Sequence, residues 1–206
     1  MLYEYLIERY KTNEPIFVSD IELPVSATNL RQMFKVLCDS GKIKRYDSGI
    51  YYIPVASRLK GGTAIAPGMV ARYKYIMRNG QIKGYYSGFT FANQMGITTQ
   101  VPYTLEIVSN AASANTREVS IKGQKIILRK PKAPITMQNY RILQFLDLLK
   151  DIDVYADNIS DGVSERLAQY VRDENIKQSD IDQYIFLYPD KVYRNLYEMR
   201  LYNVFA

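Results

Sequence analysis

Apolar side chains recur every three to four residues over 2–11, where Leu2, Tyr5, Leu6 and Tyr10 form one stripe. The chain is therefore expected to open with an amphipathic helix. Asn13, Glu14 and Pro15 stop it. Ile16, Phe17 and Val18 make a short strand-like run, and Ser19 with Glu22 has capping-box spacing for a short helix that Pro24 ends. Ser26 is placed to cap the next helix, over 27–39, and Gly41 to close it. Within that helix Leu30, Met33, Phe34 and Leu37 define one buried face. At about 100° per residue, the opposite face carries Thr28, Gln32, Lys35 and Asp39, with Arg31 on its flank. Two alternating strands then flank Asp47, Ser48 and Gly49, a hairpin turn signal.

A hinge is expected over 57–62, where Gly61 and Gly62 are adjacent. It separates a domain of residues 1–60 from one of 61–206. In the second, helices are expected over 67–77 and 87–95 and a strand over 103–108. A hairpin over 118–121 and 125–129 turns at Lys122 and Gly123. The last third reads as helices at 136–150, 161–174, 179–187 and 190–204. The final helix presents Tyr193, Leu196, Tyr197, Arg200, Leu201 and Val204 as its packing stripe. The fold class is α+β: an N-terminal winged helix-turn-helix, then a mixed α/β domain with a helical C-terminal region.

Composition narrows the chemistry. The 206 residues are 47% hydrophobic, enough for a real core. Histidine is absent, which removes the commonest general base and metal ligand and every Ser-His or Cys-His nucleophile. The one cysteine, Cys38, allows no disulfide and no thiolate zinc site within a chain, and reads as a small half-buried hydrophobe. There is no P-loop and no G-x-G-x-x-G, and Ser87 has no histidine to activate it. Asp147, Asp151, Asp153, Asp157 and Asp161 crowd one stretch and read as a solvated helix end and loop. The expectation is a non-enzyme with no catalytic residue, cofactor or metal. No apolar run reaches the roughly 18 residues of a membrane span, and residues 1–4 do not open a signal peptide, so a soluble cytoplasmic protein is expected.

The net charge of +6 is unevenly spread. Residues 1–60 carry a net of +2, residues 61–135 a net of +8 and residues 136–206 a net of −4. A basic front and an acidic tail point to a polyanion partner for the front. In a winged helix the third helix offers its polar face to the DNA major groove. Thr28, Arg31, Gln32 and Lys35 suit that face, since Arg pairs bidentately with guanine and Gln with adenine. Lys42, Lys44 and Arg45 in the wing suit phosphates, and Tyr46 a sugar. The central block supplies a secondary basic surface of Arg72, Lys74, Arg78, Lys83, Lys122, Lys125, Arg129 and Lys130, with Arg117 and Lys132 nearby. It would extend a DNA footprint, touch RNA or meet an acidic partner. With only +2 on the first 60 residues, this block or a homodimer would have to add to DNA affinity.

The stretch GYYSGFTFANQMGITTQVP at 84–102, behind a winged helix and a Gly-Gly hinge, resembles the hallmark segment of AbiEi-like proteins. These are the antitoxin halves of bacterial abortive-infection toxin–antitoxin pairs. The resemblance covers roughly residues 1–150. It implies an N-terminal domain that binds inverted repeats upstream of its own operon and represses it, and a second domain with the antitoxic activity. It also implies a nucleotidyltransferase-like toxin as functional partner, with no need for direct contact. The alternative is a protein- or RNA-interaction module that uses its winged helix only as a scaffold.

Overall fold

The structure, a computed structural model, describes residues 1–55, 64–156 and 161–205. The expected 57–62 hinge lies outside the described residues. The chain divides into two compact units, Met1–Val70 and Ala71–Ala206. Its fold class is mixed α+β.

The first unit runs α1 (Leu2–Arg9), β1 (Ile16–Phe17), a 3₁₀ turn (Val18–Asp20), α2 (Ala27–Asp39), β2 (Lys44–Asp47) and β3 (Ile50–Tyr52). The short helix expected from Ser19 is this single turn: Pro24 lies too close for an α-helix to extend. The Ser26 hydroxyl accepts from the Asn29 N–H at 3.2 Å and starts α2. Gly41, at φ +72°, turns the chain out of it. The strands form an antiparallel sheet in the order β1-β3-β2. Asp47 pairs with Ile50 around a two-residue turn, and the register shifts between Arg45 and Asp47, so Tyr46 bulges. The core is Leu2, Leu6, Ile16, Leu30, Phe34 and Ile43, with the Phe34 ring 4.6 Å from that of Tyr51.

Helix α3 covers Pro67–Tyr75. Then come β4 (Met77–Arg78), β5 (Gln81–Ile82), β6 (Gly84–Tyr86), α4 (Gly88–Gln94), β7 (Leu105–Ser109), β8 (Thr116–Ile121) and β9 (Gln124–Arg129). The acidic third supplies α5 (Tyr140–Lys150), α6 (Ile152–Tyr155), α7 (Asp161–Asp173), α8 (Gln178–Tyr184) and α9 (Lys191–Glu198). Strands β4 and β5 pair alone; the main sheet has the order β6-β7-β9-β8, with β7 and β9 parallel and the other pairs antiparallel. Helix α5 is buried from Ile142 to Leu149, as a helix central to its unit must be. Around it pack Phe91, Tyr155, Leu167, Tyr170, Tyr188 and Leu196.

Two expectations need correction. The stripe of the final helix is only partly the one expected: Leu196 and Leu201 are buried as expected, but Val192 and Met199 join them while Tyr193 and Tyr197, the latter at 76%, are exposed. The acidic stretch is not wholly solvated either. Asp147 is only 7% exposed and Asp151 is half-buried in ion pairs, because α5 runs through the core and α9 brings Lys191 to its end. Asp153 is exposed; Asp157 lies outside the described residues. No helix of the described residues is long and apolar enough to cross a membrane.

Candidate functional site

Helix α2 is anchored by Leu30 and Phe34, and that anchoring decides what its other side offers. Thr28, Arg31, Gln32 and Lys35 are all exposed. The side chains of Arg31, Gln32 and Lys35 make no hydrogen bond or ion pair with any described residue. Val36, 55% exposed, lies one turn on from Gln32. At the helix end Lys42 sits over the Tyr3 ring at 4.9 Å. In the hairpin Arg45 is exposed and donates from Nε to the Asp47 carbonyl at 3.4 Å, while Lys44 is half-buried. Tyr46 is buried, so it offers no ring to a sugar: the bulge turns it inward. Cys38 is half-buried, and burial, with Asp39 beside it, pushes its thiol up, so it stays protonated at neutral pH.

The secondary basic residues fall into separate groups. Arg72 and Lys74 are exposed on α3, with Lys74 over the Tyr75 ring; Arg78 on β4 and Lys83 before β6 are half-buried. Lys122 and Lys125 are exposed at the β8–β9 turn. Arg129 and Lys130 lie at the other end of β9, about 17 Å away at roughly 3.4 Å per residue. Arg129 is no free cation: it pairs with Glu106 at 2.7 Å. Arg117 is exposed on β8.

The 84–102 stretch builds β6, α4 and a buried polar cluster. Gly88 has φ +56°, and a Cβ there would overlap the Glu106 carboxylate. That carboxylate accepts from the Phe89 N–H at 3.0 Å, and the Glu106 N–H donates to Thr90 Oγ1 at 2.9 Å. Ser87 donates from Oγ to Asp147 Oδ2 at 2.7 Å, and both are buried. Lys150 lies 3.4 Å from Asp147 and 3.2 Å from Asp151, which also meets Lys191 at 2.8 Å. Burial alone would lower the Lys150 pKa, but Asp147 and Asp151 outweigh it and the ammonium is held charged. Burial likewise works against the Asp151 carboxylate, yet Lys191 and Lys150 hold it below the usual range.

Sheet register organises the same region. Tyr85, Val108, Arg129 and Thr116 pair in one row across all four strands. Paired residues point to one face, so these side chains stand together beside Asp147 and Lys150. Ser87 and Asp147 stand sixty positions apart in the sequence, and nothing in the linear order pairs them. Among the described residues no cluster of three or more His, Cys, Asp or Glu could hold a metal ion.

A comparison with curated proteins finds no match. A model of a family of unknown function, DUF6088, matches residues 4–179, most of the first unit and much of the second. The chain therefore belongs to the DUF6088 family.

Proposed function

We propose that this chain is a cytoplasmic, non-enzymatic DNA-binding repressor of its own operon, with a winged helix-turn-helix in its first unit. The observation that carries this reading is the outward face of α2. Thr28, Arg31, Gln32 and Lys35 are exposed on a helix whose other side is locked into a core by Leu30 and Phe34. A rigid helix with one unengaged polar face is what major-groove reading requires. Arg31 would read guanine, Gln32 adenine, and the exposed Val36 a thymine methyl. Lys35, Lys42, Lys44 and Arg45 would hold phosphates and set the register.

The antitoxin part of the proposal rests on the resemblance of 84–102, with a nucleotidyltransferase-like toxin as functional partner. Growth on co-expression with that toxin tests it: no rescue by this chain refutes it.

The DNA reading is tested by fluorescence anisotropy of the full chain on its own upstream DNA against a scrambled duplex, across a salt series. Tighter binding to its own sequence is expected, reduced by Arg31→Ala and by Gln32→Ala. Four phosphate contacts give a log–log salt slope of about −3.6, a fall of about 150-fold between about 50 and 200 mM salt. Equal affinity for both duplexes, or no binding at low salt, refutes it.

A further inference from the structure

The row Tyr85, Val108, Arg129 and Thr116 does not pack flat against α5. It walls a cavity of about 440 Å³, within the roughly 300–1,000 Å³ of small-molecule sites. Asp147 and Lys150 stand on the α5 side, and the segment after β9 closes the rest with Lys130, Pro131 and Lys132. That segment is tied in place: the Lys130 N–H donates to the Asn115 carbonyl at 3.1 Å, continuing the β8–β9 ladder one step.

The charges of the cavity are unequally satisfied. Arg129 is paired with Glu106, and Lys150 with Asp147 and Asp151. Lys130 and Lys132 are exposed and make no ion pair with any described residue. Two uncommitted ammonium groups at the mouth, with an arginine behind them, suit a phosphate. The opposite wall is different. Asp147 is buried with Ser87 and Lys150 as its donors, and a carboxylate has acceptor capacity beyond two bonds. It would take a hydroxyl or amino donor from the ligand. Tyr85, Val108 and Pro131 supply apolar atoms to the lining, Tyr85 and Val108 being almost wholly buried. A ligand anionic at one end, flat or apolar in the middle and donating at the other has the chemistry of a nucleotide. A nucleic-acid backbone fits worse, since it would press a phosphate chain against the Asp147 carboxylate.

We propose that this cavity is a binding site for a nucleotide, its phosphates held by Lys130 and Lys132 and a sugar or base donor by Asp147. The site lies in the second unit and stands whether or not the first binds DNA.

Isothermal titration of the full chain with ADP, adenosine and inorganic phosphate tests it. ADP binds, and adenosine and phosphate each bind more weakly than ADP. Lys130→Ala with Lys132→Ala weakens ADP about tenfold or more, the loss expected for charge-assisted contacts. Both lysines are exposed, so circular dichroism of this variant stays that of the parent. Thr116→Val, at the far end of the row, is a second variant with a smaller loss. Absence of ADP binding at millimolar concentration overturns the proposal, as does ADP affinity unchanged in the lysine variant. Equal affinity for phosphate and ADP overturns the nucleotide assignment.

Discussion

Gly88→Ala isolates one packing decision in the second unit. Gly88 adopts φ +56°, where an L side chain costs about 1–2 kcal/mol. The new methyl group would also displace the Glu106 carboxylate. Glu106 then gives up its bond from the Phe89 N–H and loosens its pairing with Arg129; a charge-assisted bond of this kind contributes about 1.5–3 kcal/mol. The sum is about 3–5 kcal/mol, a large part of the roughly 5–15 kcal/mol that holds a domain folded. At about 2–4 °C per kcal/mol, the midpoint of thermal unfolding falls by about 6–20 °C. Gly123→Ala is the control, since Gly123 has φ +87° but open space where its Cβ would go. Only the backbone cost applies there, about 1–2 kcal/mol. A double-mutant cycle completes the test. In a Glu106→Ala background the steric part disappears, and Gly88→Ala again costs about 1–2 kcal/mol. The reasoning fails if Gly88→Ala costs no more than Gly123→Ala, or costs the same with and without Glu106.

Alkaline pH should unfold the second unit. Burial, chiefly, raises the hydroxyl pKa values of Tyr85, Tyr155, Tyr170 and Tyr188 well above the usual 10. The folded state keeps protons that the unfolded chain loses, so stability is whole below pH 10 and falls as pH rises beyond it, by about 1.4 kcal/mol per tyrosine per pH unit. Four such groups remove about 5 kcal/mol by about pH 11, and a circular dichroism signal that stays native to about pH 12 would refute this. Phe34→Ala, at the fully buried centre of the first unit, should cost about 3–5 kcal/mol in urea unfolding. A loss under about 1 kcal/mol would mean that α2 is not held by this ring.

Helix α2 could be read from the sequence to its exact ends because three local signals agree there: a Ser26 cap, a Gly41 exit and an apolar stripe between them. The β4–β5 hairpin is not legible in the sequence although Asn79 and Gly80 are a turn pair, because two-residue strands show no alternation. On the final helix two stripes share one period: Val192, Leu196 and Met199 lie one position before Tyr193, Tyr197 and Arg200. Spacing alone cannot choose between them: Leu196 and Leu201 of the expected stripe are buried, whereas its Tyr193 and Tyr197 are exposed. Asp147 was hidden for the opposite reason. On a helix buried all round there is no polar face to mark which acid is inside. Its partner Ser87 comes from β6–α4, where only the folded chain makes them neighbours.

The position of β9 has a consequence for how the chain reaches its fold. Strand β9 enters between β7 and β8, although it is the last of the three to be synthesised. Hairpin β8–β9 closes locally through the Lys122–Gly123 turn, on a timescale of about 1–10 μs. Its docking on β7 is a parallel, longer-range pairing and comes later. In that interval β7, with Leu105, Ile107 and Val108, is an open and largely apolar edge, the kind that recruits a strand from another molecule. Glu106 puts a bare negative charge in the middle of that edge until Arg129 arrives on the correct strand and neutralises it. The carboxylate that is paired in the finished sheet is thus, while still unpaired, a charge that disfavours wrong strands on the unfinished edge.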